Sequence, residues 1–232
     1  MLKWYHRLIT REALQERFSP RALRAVIRAN LAQDRLGLQI HHPEYHFYDN
    51  AFPAGWAYVA AQQALIVPAL ETGHAGQAWE AFGRVVHSLQ DFYSHSNYVS
   101  LWIEKYRHAS LPAPHEIDPC DARIFNNPEL CSGKVYYLLE VFSLIPGLNQ
   151  MISPYLPPGS HARLNLDAPV RGPKFAFAFV AAVKRTRLEF EQLTATFPSE
   201  YLAAFTDRGG NSHLETIDEQ ARSQPWPEIS AD

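Results

Sequence analysis

Cysteine is nearly missing from this 232-residue chain, which has only Cys120 and Cys131. Two thiols in a loop-like stretch cannot supply a disulfide framework or a cysteine-only zinc site. They pair in an oxidising compartment or stay free, and free thiols are the expectation here. Long apolar runs are missing too. Hydrophobic residues make up 47% of the chain, but charge interrupts them throughout, and none approaches the roughly 20 residues needed to span a bilayer. Lys and Arg form no dense run or stripe, and the net charge is −3, so nucleic acid has little support as a partner. The opening Met1-Leu2-Lys3-Trp4-Tyr5-His6-Arg7 lacks the apolar core and small-residue cleavage site of a secretory signal. A cytoplasmic protein is expected, or a secreted or periplasmic one if a precursor segment has been removed. No internal repeat divides the chain, and no stretch alternates for long with period two. An all-α, single-domain, multi-helix bundle is therefore expected over residues 1–206, with a polar, mobile tail over 207–232.

What is present is helical punctuation. Thr10 reads as the cap of a short helix to about Arg17, and Ser19-Pro20 as the start of another to about Asp34. A histidine- and aromatic-rich stretch, His41 to Asn50, reads as a ligand-carrying loop. Helices are expected over Ala54–Leu70, Ala75–Tyr98, Tyr98–His108, Lys134–Ile145, Phe175–Thr196 and Ser199–Phe205. The prolines from Pro112 to Pro128 enforce an irregular excursion.

Eleven histidines is a high count, and their placement carries more information than their number. In the run from Ala75 to Tyr98, Ala78, Phe82, Val85, Val86, Leu89 and Phe92 recur at three- and four-residue steps. His87, Asp91 and His95 are each four apart on that helix, so they fall within roughly an 80° arc. Two imidazoles and a carboxylate on one face suit a borderline divalent ion, and a carboxylate between two histidines can bridge two ions. His6 before the first helix, Asp34 at the end of the second and His46 in the aromatic loop are further candidates.

The phrase Tyr45-His46-Phe47-Tyr48-Asp49, with His87-Ser88-Leu89-Gln90-Asp91-Phe92-Tyr93-Ser94-His95-Ser96-Asn97 some forty residues on, resembles the zinc-dependent phospholipase C family and the related single-strand-specific zinc nucleases. It looks especially like the branch that includes the fungal heterokaryon-incompatibility proteins. Trp4-Tyr5-His6 and Ile9 to Leu14 are similar to the start of those domains. The resemblance covers about residues 4–100, and 160–193 more loosely. It implies a helical bundle around two or three Zn²⁺ ions, with Asp34, His46, His87 and Asp91 at the first ion. Asp91 would bridge to a second ion that also takes His6, and His95 would begin the remaining site. His161 with Asp167 and His115 with Glu116 are the candidates to close it, and His161 is preferred because it precedes a helix that must pack on the core. In that family the mature chain begins at the tryptophan, whose amine is a ligand; here Met1-Leu2-Lys3 come first, so that ligand is expected to be absent. The implied activity is metal-dependent phosphodiester hydrolysis, with zinc-bound hydroxide attacking phosphorus and Asp34 orienting the water. Phospholipid, met through peripheral membrane contact, is the first-choice substrate. A nuclease on the same scaffold is the second reading, and a metal-stabilised helical domain that binds lipid or protein without turnover is the third.

Overall fold

In a computed structural model, which describes residues 1–106, 110, 112–136, 156–157 and 159–208, the described chain is helical and its only β pairing is two isolated bridges. The helices are α1 (Lys3–Leu14), α2 (Pro20–Ala32), α3 (Leu36–His41), α4 (Pro43–His46), α5 (Phe52–Ala64), α6 (Ile66–Glu71), α7 (Ala75–His95), α8 (Tyr98–Glu104), α9 (Ala122–Phe125), α10 (His161–Leu164), α11 (Lys174–Thr194) and α12 (Ser199–Thr206). The all-α expectation holds. The helix expected over Lys134–Ile145 and the expected tail lie largely outside the described residues. Among the described residues, no helix is long and apolar enough to cross a membrane.

The axis of the bundle is α7, with α2, α11, α5 and α6 packed around it. Every residue from Val85 to Ser96 is buried, so the polar side chains of this stretch face the interior of the bundle. Phe82, wholly buried, stacks among Phe18 and Phe205 with centroids 5.2–6.0 Å apart, and Phe190 closes the group 5.4 Å from Phe18. Burying one such ring contributes roughly 1.5–3 kcal/mol. The Trp79 indole N–H donates to the Phe205 carbonyl at 2.7 Å and pins α12 to α7. The α2–α7 crossing is close because residue 83 is glycine: a Cβ there would lie 2.5 Å from the Val26 carbonyl oxygen and 2.6 Å from the Ala29 Cβ.

The helix ends follow from local chemistry. Ser19 caps α2 by accepting from the Ala22 N–H at 3.1 Å, with Pro20 at the first position. The helix expected over Ala54–Leu70 is two helices meeting at Leu65. Pro68 has no N–H to give to the Ala64 carbonyl, so the hydrogen-bond ladder breaks there. Thr10 does not start a helix. It lies buried inside α1, and its hydroxyl donates to the His6 carbonyl at 2.8 Å, a back-bond open to any mid-helix threonine.

Candidate metal centre

The histidine-rich stretch is more ordered than a loop. His46 ends α4, and Phe47 follows with φ of 56°, in the left-handed region that disfavours a side chain. The Phe47 ring is held there against Gly55, where a Cβ would lie 2.5 Å from the ring. This turn buries His46 completely. Asp49 and Asn50, also left-handed, dock the turn onto residues 132–135. The Asp49 carboxylate accepts from the Val135 N–H at 2.8 Å, and Asn50 and Ser132 exchange two hydrogen bonds of 2.8 and 2.6 Å.

The structure brings His6, Asp34, His87 and Asp91 together at the centre of the bundle, with one ligand atom from each within 4.8 Å of the others. His6, His87 and Asp91 have no exposed surface, and Asp34 is 8% exposed. One oxygen of Asp91, Oδ1, lies 3.0 Å from His6 Nε2; the other, Oδ2, lies 3.1 Å from His87 Nε2 and 2.8 Å from His46 Nδ1. His46 Nδ1 is also 3.1 Å from His87 Nε2. In a tetrahedral site with metal–ligand bonds near 2.0–2.1 Å, neighbouring ligand atoms stand about 3.3–3.4 Å apart. The cluster has that scale.

A second group gathers His95, His161 and Asp167 beside the first. His95 Nδ1–H donates to the His46 carbonyl at 3.0 Å, an acceptor that cannot donate in return, so its Nε2 carries a lone pair. That lone pair is 3.0 Å from Asp167 Oδ1 and 3.8 Å from Asp91 Oδ1. Asp167 is fixed to the end of α7 by the Ser94 hydroxyl at 3.0 Å and by the neighbouring Leu166 N–H, which donates to the Ser94 carbonyl at 2.8 Å. His161 is delivered by backbone: its N–H donates to the Lys134 carbonyl at 2.8 Å, and Gly133 lies so close beneath that a Cβ would be 2.5 Å from the His161 Cα. Its ring centroid is 4.9 Å from that of His95. His115, the alternative closing ligand, lies on the surface, where its carbonyl accepts from the Lys184 ammonium, and it is not in either group. Asp167 is the residue that the sequence reading weighed beside His161 and left out of the ligand set.

An amine also reaches the cluster. The Met1 α-amine lies 2.5 Å from Asp91 Oδ1, 3.0 Å from His95 Nε2 and 3.1 Å from Asp167 Oδ1.

The electrostatics favour ionised carboxylates. Burial works against charge on Asp91, yet His95, the amine, His87 and His6 hold its carboxyl well below the usual range. Burial likewise opposes the charge of Asp167, which the amine holds well down. Burial pushes the His95 imidazole down. Metal ligands need these protonation states. Orphaned polar atoms point the same way: His6 Nε2, Asp34 Oδ2 and His46 Nε2 are buried without a hydrogen-bond partner. The 3.0 Å approach of His6 Nε2 to Asp91 therefore carries no hydrogen bond. Buried polar groups in native proteins are overwhelmingly satisfied, and a cation bound by nitrogen and oxygen lone pairs would satisfy these.

The model of the VWA7 N-terminal domain family matches residues 4–119. Among curated proteins, human von Willebrand factor A domain-containing protein 7 is 38% identical over 99 residues, which is 42% of this chain and 10% of the human protein. The mouse protein of the same name is 36% identical over 104 residues, 43% of this chain and 11% of its own length. The chain thus spans about a tenth of the curated relatives it matches. No solved structure matches it. These matches overturn the resemblance to the zinc-dependent phospholipase C family and, with it, the expected phosphodiester hydrolysis by a phospholipase C-like enzyme and the role of Asp34 in orienting its water. The physical reason is that histidine and aspartate four apart on a helix is what any helix needs to face an ion, so the motif reports ligand geometry more than ancestry.

Proposed function

Since the chain belongs to the family of VWA7 N-terminal domains, we propose that it is a metal-binding helical domain whose buried ions join its helices. The donor set is imidazole nitrogen and carboxylate oxygen without thiolate, which suits zinc. His6, Asp34, His87 and Asp91 hold the first ion. His95, His161 and Asp167 hold a second, with Asp91 between them, and His46 faces the Asp91 oxygen that His87 also faces. A third ion would draw on His46 and Asp91. The four residues of the first group, from α1, the turn after α2, and α7, all fall within the stretch matched by the family.

The observation that carries this reading is the set of buried polar atoms left without partners around Asp91. Without an ion, each such atom costs on the order of 1–3 kcal/mol. With one, the same atoms tie together α1, α2 and α7, and binding free energy becomes folding free energy. The ions would supply charge neutralisation and cross-linking; this chain's residues bind and orient them and keep water out.

Mass spectrometry of the chain purified without chelator tests this directly. Two or three zinc ions per chain are expected, and their removal should lower the melting temperature. A metal-free protein whose melting temperature is indifferent to both chelator and added zinc would overturn the proposal.

A further inference from the structure

Four buried polar residues behind the histidines belong to no ligand group: Thr10 on α1, Asn30 on α2, Gln90 on α7 and Thr186 on α11. We propose that they are positioning residues which place the imidazole protons of His6 and His87 on Nδ1, leaving both Nε2 lone pairs bare beside Asp91. The inference deepens the metal-binding reading and rests on it only for its consequence in affinity.

Two backbone carbonyls, which can only accept, fix the whole arrangement. The Thr10 hydroxyl donates to the His6 carbonyl at 2.8 Å, and the Thr186 hydroxyl donates to the Ala182 carbonyl at 2.8 Å. Each hydroxyl has one proton, so towards every other neighbour it is an acceptor. The Gln90 side-chain atom that faces both hydroxyls, at 3.0 and 3.2 Å, must therefore be the amide nitrogen. Gln90 Oε1 is then turned the other way, where it meets Asn30 at 3.1 Å and His6 Nδ1 at 2.7 Å. The Asn30 atom that faces Thr10 Oγ1, at 3.0 Å, and Gln90 Oε1 meets two acceptors, so it too is the nitrogen. Asn30 Oδ1 is left pointing at His87 Nδ1, at 3.0 Å.

Both imidazoles thus meet amide oxygens on their Nδ1 side and must donate there. Each ring has one proton when neutral, so each Nε2 is bare. They face the two oxygens of Asp91 at 3.0 and 3.1 Å. His95 reaches the same state by donating Nδ1–H to the His46 carbonyl. Partners of this kind behind a metal-binding histidine fix its tautomer and ring orientation, and their loss typically costs 10–100-fold in metal affinity.

Two-bond proton–nitrogen correlation spectra of histidine-labelled, chelator-treated protein, at a pH where the rings are neutral, read the tautomers without any metal. His6 and His87 should both be Nδ1–H. Gln90→Met should move the His6 proton to Nε2, the nitrogen nearer the Asp91 carboxylate, and Asn30→Leu should do the same for His87. In each variant zinc affinity should fall about 10–100-fold, because the ion must displace that proton. Should either variant not fold, Thr10→Val keeps the side-chain volume and removes the hydroxyl that receives both amides, and should give mixed tautomers at both rings. Wild-type rings in the Nε2–H form, or variants in which both protons stay on Nδ1, would overturn the inference. Tautomers as expected in a protein that takes up no zinc would support the inference and sink the metal-binding proposal alone.

Discussion

Asp91→Asn removes one negative charge and one of two equivalent oxygens while keeping the side-chain size. The two oxygens of Asp91 separately face His6 and the His46–His87 pair, and an amide presents one oxygen and one NH₂ group. The NH₂ repels an ion wherever it points. A bound ion stabilises the folded chain by RT ln(1 + [L]/Kd), about 4.1 kcal/mol at a thousandfold excess over Kd. If the substitution weakens binding about 100-fold, the upper range for loss of a supporting residue alone, that increment falls by about 2.7 kcal/mol at the same zinc concentration. For a chain of 150–250 residues, each kcal/mol corresponds to about 2–4 °C in Tm, so the zinc-dependent part of Tm should shrink by about 5–11 °C. The readout is the difference in Tm between zinc-loaded and chelator-treated samples, measured by calorimetry for both proteins. Taking that difference cancels whatever the substitution does to the metal-free fold. An equal difference in wild type and Asp91→Asn, with equal metal content, would refute the placement of Asp91 between ions.

Gly133→Ala should push its Cβ into the His161 backbone, 2.5 Å from Cα; overpacking of this kind costs about 1–3 kcal/mol, and mass spectrometry should find about one ion fewer per chain as the second group opens. Gly83→Ala should drive α2 from α7 at Val26 and Ala29 at a similar cost of about 1–3 kcal/mol. Because it separates Asn30 and Asp34 from His87, zinc affinity measured by competition should fall with stability. Asp121 caps α9 and meets Arg123 and Lys105, with Arg123 foremost in holding its carboxyl well below the usual range against burial. Its folded-state pKa lies below its unfolded one, so its contribution is present above about pH 4 and is lost as pH falls through the folded value. Denaturant titrations down the acid range should show wild type losing that advantage over Asp121→Asn; parallel curves would show that the ion pairs contribute nothing.

The helical architecture was legible because apolar residues at three- and four-residue steps on α2 and α7 leave few alternatives. The gathering of His87, Asp91 and His95 on one face followed from spacing alone. Thr10 was misread because a hydroxyl near a chain start looks the same whether it caps a helix or bonds back into one. Phe47 hid the shape of its turn, since nothing in a phenylalanine announces a left-handed backbone. His161 meets His95 through the bridge between Lys134 and Ser160 and the approach at Gly133, and Asp167 through the hydrogen bonds at Ser94, contacts between distant segments that no local pattern encodes. Asn30 and Gln90 read as ordinary polar interruptions of amphipathic helices, and only the packing of four helices shows what they face.

That four-helix knot sets an order of events during synthesis. Thr186 lies 96 residues beyond Gln90, and at roughly 5–20 residues per second its codon is reached about 5–20 s later. Through that interval a nascent chain already holds His6, Asp34, His87 and Asp91, but the Gln90 amide has only one of its two hydroxyl anchors. On the proposed function, the growing polypeptide would be a poor competitor for scarce ions until α11 has docked, so loading would follow the synthesis of that helix.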